Sequence, residues 1–243
     1  MKIQLYGKNS HHLSDYLKEL GFEVVTGNPD LILSYGGDGT LLSSERKFPG
    51  IPKLPVRDSN VCIKCSLHTT EHLLGLLKKE QLKIEELPKL EFQFHTDSLS
   101  ALNDIVIRNS TPIHAIRFKI FKNEQRVGPE LVLGDGVVFS TAFGSTGYYQ
   151  SITRETFSKD FKVAFNNTTI PLPPLVFKDS DVIRLEVVRG PATLSVDNNP
   201  MLLTLKEKDT IEIKPSRHKA HIYSPQTLRC HKCTVDRGKR LRD

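Results

Sequence analysis

Two hydrophobic periods alternate along the first third of the chain. Residues 2–6 and 22–25 are apolar runs of strand length, and residues 10–20 between them carry Leu13, Tyr16, Leu17 and Leu20 on one helical face, closed by Gly21. After Asn28-Pro29-Asp30 come the run Leu31-Ile32-Leu33-Ser34, the loop Gly36-Gly37-Asp38-Gly39-Thr40, and a predicted helix from Leu41 to about Lys47. Residues 51–56 are broken by prolines, and residues 69–79 predict another helix through Leu73, Leu74, Leu76 and Leu77. Strands alternating with helices predict a parallel sheet. The glycine loop then lies at the carboxyl end of a strand, where open α/β sheets take their ligands.

From about residue 87 the texture becomes β-rich. Glu91-Phe92-Gln93-Phe94 alternates, and short runs follow at 101–108, 115–121, 131–133, 137–139, 162–165, 182–188, 192–196, 210–213 and 220–223, separated by Gly, Pro, Asn and Asp. This pattern predicts an α/β domain with a parallel sheet over residues 1–90 and a layered, sandwich-like β domain over 91–221. Residues 222–243 are expected to return to the first domain.

Composition narrows the class. The 243 residues are 38% hydrophobic and 26% charged, without Trp, and no run approaches the roughly 20 apolar residues of a membrane span. Residues 1–10 lack the apolar core of a signal peptide, so the expected compartment is the cytosol and no membrane partner is expected. The net charge of +6 favours anionic ligands, but the basic residues are dispersed and form no nucleic-acid module, so no nucleic-acid partner is expected. The four cysteines form two Cys-x-x-Cys pairs, Cys62/Cys65 and Cys230/Cys233. A cytosolic disulfide is disfavoured, so the pairs read as a four-thiolate structural Zn²⁺ site, with incidental thiols as the alternative.

The glycine loop suits phosphate. Its three glycines remove Cβ atoms that would hold a polyphosphate off the backbone, and the following helix start offers N–H groups and the positive end of its dipole. Asp38 is the anomaly, since a carboxylate among phosphate-binding amides repels the ligand unless a metal ion or an acceptor hydroxyl stands between them. Taken alone, the five residues read equally well as a tight turn with a capping Asp. Two more stretches carry polar groups at strand ends. Asn103-Asp104 opens an apolar strand, and Gly134-Asp135-Gly136 leads through Val137-Val138-Phe139 into Gly144-Ser145-Thr146-Gly147-Tyr148, a loop of glycines and hydroxyls.

In order and spacing these stretches resemble the NAD kinase family, over about residues 30–215. The loop alone is also similar to diacylglycerol and sphingosine kinases and phosphofructokinases. The resemblance implies a Rossmann-like first domain, a β-rich second domain, and a kinase that phosphorylates the 2′-hydroxyl of the adenosine ribose of NAD with ATP and Mg²⁺, or with polyphosphate. It implies that Asp38 faces that hydroxyl as base or orienter while Gly36, Gly37, Gly39 and Thr40 cradle the donor phosphates. Asn103, Asp104 and Asp135 would hold NAD, and Thr146, Gly147, Tyr148 and Ser151 would line its pockets. Asp197 falls in a late hairpin where the resemblance implies a turn role, and a homo-oligomer, dimer or tetramer, is implied as well.

This chain departs from the family pattern at Asp104, where the pattern has Glu, and at Gly147, where it has Ala. Residues 150–156 and 57–65 replace expected Gly-rich stretches. A lipid or other small-molecule kinase, and a non-catalytic NAD-binding protein, are the competing readings.

Overall fold

The structure is a computed structural model and describes residues 1–58 and 69–225. The chain divides into two compact units, Met1–Leu87 together with the chain from Lys219, and Pro88–His218. In chain order the strands are β1 (Lys2–Tyr6), β2 (Glu23–Val24), β3 (Leu31–Gly36), β4 (Lys53–Arg57), β5 (Lys83–Leu87), β6 (Leu90–Phe94), β7 (Asp97–Ala101), β8 (Asp104–Asn109) and β9 (Ile116–Lys122). They continue with β10 (Gln125–Gly134), β11 (Gly136–Thr141), β12 (Phe161–Asn166), β13 (Leu175–Phe177), β14 (Ile183–Arg189), β15 (Ala192–Val196), β16 (Leu203–Leu205), β17 (Thr210–Pro215) and β18 (Ala220–Ser224). The α-helices are α1 (Ser14–Glu19), α2 (Asp38–Lys47), α3 (Thr70–Lys78) and α4 (Tyr148–Thr153).

The first unit is an α/β sheet in the order β2-β1-β3-β4-β18-β5. All its pairs are parallel except β18 with the edge strand β5. Leu13 and Leu17 together with Leu73, Leu74 and Leu77 of α3 cover Ile3, Leu31, Leu33, Leu54 and Val56, so the apolar faces read from the sequence make this core. Two of the predicted elements differ. The helix expected over 10–20 is a 3-10 turn at Ser10–Leu13 followed by α1, and the proline-broken run is the strand β4. Pro55 is tolerated there because β4 pairs with β18 only at Lys53, so the missing N–H takes nothing from that ladder.

The helix after the glycine loop starts at Asp38, three residues before the expected Leu41. Gly37 is its N-cap, in extended conformation, and the peptide N–H groups of Thr40 and Leu41 both donate to the Gly37 carbonyl. An Asp in the first turn and Arg46 and Lys47 in the last suit the helix dipole, and Pro49 stops the helix. On the sheet side of α2, the buried Glu45 pairs with Lys53, whose ammonium also donates to the Phe48 carbonyl at 2.6 Å. Lys53 is fully buried, so this pair ties the end of α2 to β4 at a site where either charge alone would be costly.

The second unit is a β-sandwich of two six-stranded antiparallel sheets, β10-β9-β14-β17-β6-β7 and β13-β12-β11-β8-β15-β16. Alternate residues such as Phe92, Phe118, Leu185 and Ile213 from the first sheet and Ile105, Phe139, Val163 and Leu194 from the second fill one core. β11 is buried at all six positions. Its core face meets the other sheet, and its outer face is covered by α4 and the preceding turn, which brings the Gly144–Tyr148 region onto the start of β8. No helix among the described residues is long and apolar enough to cross a membrane.

Candidate functional site

In the first unit the loop is a strand end joined to a helix start by one residue. Gly36 closes β3, Gly37 caps, and Asp38 is the first helical residue, so Gly39 and Thr40 lie inside the first turn of α2 rather than in a free loop. A Cβ on Gly36 would stand 2.2 Å from Thr40 Oγ1 and 2.8 Å from Thr40 Cβ, so glycine is what lets the strand end fold down on the helix. Beside this turn lies a cavity of about 450 Å³ lined by Tyr6, Gly7, Lys8, Thr40 and Ser43. Gly7-Lys8 and Ser43 were not singled out from the sequence, although Gly7 ends a parallel strand, which is the signal that could have found it. Tyr35, next to Gly36, has its phenol pushed up by burial and then by the nearby Asp58 carboxylate.

The second unit holds the other candidates. Asp104 begins β8 and is buried, with Asn103 directly before it. Asp197 accepts hydrogen bonds from three successive peptide N–H groups, those of Leu102 at 2.8 Å, Asn103 at 2.7 Å and Asp104 at 3.1 Å. Its own N–H donates to the Asp104 carbonyl at 2.9 Å. From the other side, the Thr141 hydroxyl donates to the Leu102 carbonyl at 2.6 Å and accepts from the Gly144 N–H at 2.9 Å, and the Thr141 N–H donates to the Asn103 carbonyl at 2.9 Å. Gly144 is pressed onto this turn so closely that a Cβ would stand 2.0 Å from the Asn103 carbonyl oxygen.

Gly147 is the N-cap of α4, and Asp104 Oδ2 lies 3.9 Å from the point where its Cβ would be. The structure therefore brings Asn103, Asp104 and Gly147 together. Thr146 adds a buried hydroxyl oxygen without a hydrogen-bond partner, whereas Ser151 is exposed and donates to the Tyr148 carbonyl at 2.7 Å.

Asp135 stands at the far end of β11. Asp104 pairs with Ser140, and Asp135 stands one residue before Gly136, the partner of Arg108, so five strand residues, roughly 17 Å, separate the two backbone positions. Asp135 is held there by Asn167 Nδ2 at 2.9 Å, with its carbonyl accepting from the Asn109 N–H at 2.8 Å. Between the two ends runs the Tyr148 side chain, whose hydroxyl accepts from Asn166 at 3.3 Å, Asn166 being the partner of Gly136. Beyond the end of α4 a cavity of about 420 Å³ is lined by Ile152, Thr153, Glu155, Phe165, Asn167 and Leu172 among others. Cys62, Cys65, Cys230 and Cys233 lie outside the described residues, and among the described residues no cluster of three or more His, Cys, Asp or Glu is arranged to hold a metal.

No family model matches the chain. Its relatives are informative instead. The NAD kinase of Saccharolobus solfataricus is 32% identical over 240 residues, which span 91% of this chain and 93% of that protein. The NAD kinase of Sulfurisphaera tokodaii is 30% identical over 243 residues, spanning 91% and 94%. The chain belongs to the NAD kinase family. Solved structures of that fold agree over both units. An NAD kinase from Archaeoglobus fulgidus in complex with ATP gives a TM-score of 0.81 at 20% identity, covering 98% of this chain and 99% of that one. Yeast NADH kinase complexed with NADH gives 0.81 at 18%, covering 99% and 87%. The two-unit α/β and β-sandwich architecture is thus the fold of NAD kinases.

Proposed function

We propose that this chain transfers the γ-phosphoryl group of ATP to the 2′-hydroxyl of the adenosine ribose of NAD, giving NADP and ADP. The observation that carries the reading is Asp38, a carboxylate set as the first residue of α2 directly behind the glycine strand end. We assign the donor to the first unit, residues 1–90 with 222–243, and NAD to the second, residues 91–221. The 2′-hydroxyl gives its proton to the Asp38 carboxylate as its oxygen bonds to the γ-phosphorus; the bond from phosphorus to the ADP oxygen breaks, and ADP carries away the electron pair. Most of the acceleration comes from placing the hydroxyl in line and compensating the phosphate charge.

Gly36, Gly37, Gly39 and Thr40 form the donor side, with the first turn of α2 turned toward negative charge. Asn103, Asp104, Asp135, Thr146, Gly147, Tyr148 and Ser151 form the acceptor side, and the roughly 17 Å along the strands between its Asp104 and Asp135 positions suits an extended dinucleotide better than a mononucleotide. The donor set fits Mg²⁺ brought in with ATP, since that ion keeps several waters and binds phosphates plus one or two carboxylates, and Asp38 would be the carboxylate that holds it, directly or through a water. When bound, it neutralises charge across the β- and γ-phosphates.

The test is an assay of NADP formation from NAD, ATP and Mg²⁺, with NADH and polyphosphate as alternative substrates. Asp38→Asn is expected to lower turnover about a thousandfold with an unchanged melting temperature; turnover within tenfold of wild type would sink the assignment. NAD binding by calorimetry without any NADP formation would favour a non-catalytic NAD-binding protein. The same reading includes a cytosolic dimer or tetramer, which light scattering on the purified protein checks. It also includes a structural Zn²⁺ on Cys62, Cys65, Cys230 and Cys233, for which metal analysis should find about one equivalent, and four freely titrating thiols without metal would end it.

A further inference from the structure

Three successive peptide N–H groups converging on one point make an anion-binding nest. At Leu102, Asn103 and Asp104 that nest is filled by the chain's own Asp197. The carboxylate comes from the turn after β15, where Asp197 takes a left-handed conformation at φ 49°, and its N–H closes a fourth bond to the Asp104 carbonyl. The nest is therefore closed to a dinucleotide phosphate. The Asn103-Asp104 turn can neither slide along β8 nor rotate without breaking several of these bonds, and the opposite edge is held by Thr141 and Gly144.

We infer that Asp197 is a positioning residue for the acceptor: by clamping the backbone of Leu102–Asp104 it fixes where the Asn103 and Asp104 side chains meet NAD. The inference rests on the reading of Asn103 and Asp104 as NAD contacts. It extends the plain turn role implied by the resemblance, because the Asp197 carboxylate accepts three bonds from a strand start far away in sequence. Thr141 shares the task from the other face, with its hydroxyl donating to one carbonyl of the same turn and accepting from the segment that leads to Gly147.

The experiment is steady-state kinetics of Asp197→Asn and Thr141→Val, with NAD and ATP varied separately. Asp197→Asn keeps the shape but leaves at most one strong acceptor for three donors, and one of its NH₂ protons then faces an N–H. The KM for NAD is expected to rise about tenfold and the KM for ATP to stay within twofold. Thr141→Val, a milder change that leaves Asp197 in place, should raise the KM for NAD about threefold in the same selective way. It serves as the readout if Asp197→Asn fails to fold. A merely structural role would lower the active fraction and so kcat, leaving both KM values alone, and that result overturns the inference. So does an unchanged KM for NAD in both variants of an active enzyme. A wild-type protein that forms no NADP would instead bring down the functional reading, and the inference with it.

Discussion

In the first unit the loop bearing Asp38 is assembled from residues next to one another, whereas in the second unit Leu102, Asn103 and Asp104 are fixed by a carboxylate 93 to 95 positions away. The loop is made by local rules: a glycine that accepts the close approach of Thr40, a glycine N-cap, and an acidic first turn. The turn at Asn103-Asp104, proposed to hold the acceptor, is made by tertiary contacts, with Asp197 on one side and Thr141 and Gly144 on the other. The contrast suits two tasks. A donor brings a long flexible anion that backbone amides and a dipole attract without exact side-chain placement, while an acceptor hydroxyl must be held to a fraction of an ångström.

Substituting one glycine on each side tests the comparison. Gly144→Ala should have the larger effect on stability, because its Cβ would meet the Asn103 carbonyl oxygen at 2.0 Å and the carbonyl carbon at 2.5 Å, in a stretch of backbone pinned from both faces. Overpacking of this kind costs about 3 kcal/mol, and a fall in melting temperature of ~10 °C is expected from calorimetry. Gly36→Ala meets the Thr40 side chain at the start of α2 and also puts a side chain at φ +157°, a conformation L residues rarely adopt. There a loss of about 2 kcal/mol should accompany a rise of roughly tenfold in the KM for ATP, with the KM for NAD unchanged. Equal destabilisation by the two variants would remove the distinction between a locally built loop and a remotely clamped turn.

The same contrast explains what could be read from the chain beforehand. The parallel sheet, the sandwich and the glycine loop follow from periodicities and from five adjacent residues, and all are legible without tertiary information. Apolar periodicity begins only at Leu41, while the physical start of α2 is set three residues earlier by the Gly37 cap. β5 went unread since Glu85 and Glu86 interrupt any apolar alternation, and the strand exists because β18 returns to pair with it. The clamp by Asp197 was invisible for a stronger reason. An Asp before two asparagines is an ordinary turn signal, and nothing local says that its carboxylate will be spent on Leu102–Asp104.

The smallest expected effect sharpens the acceptor side of the comparison. Asp104 and Gly147 are two of the positions where this chain departs from the pattern the resemblance implies, which has Glu and Ala there, and they are neighbours: Asp104 Oδ2 lies 3.9 Å from the place a Gly147 Cβ would occupy. The φ of Gly147 is −98°, open to any residue, so no backbone strain demands glycine. A methyl would sit 3.2 Å from the Gly144 carbonyl, tight by a few tenths of an ångström. Against that, Ala lowers the entropy of the unfolded chain by about 0.4–1 kcal/mol. The two terms nearly cancel, and Gly147→Ala should shift the melting temperature by no more than about 2 °C. With the shorter Asp104 carboxylate the KM for NAD should change less than threefold. With Asp104→Glu, the longer side chain reaches further along α4, and the added methyl then limits its rotamers. The double variant should therefore bind NAD more tightly than the two single changes sum to, by a coupling of about 0.5 kcal/mol or more. Strict additivity in a double-mutant cycle of NAD affinities would mean that the two departures arose independently, and that the contact between them carries no information about the acceptor site.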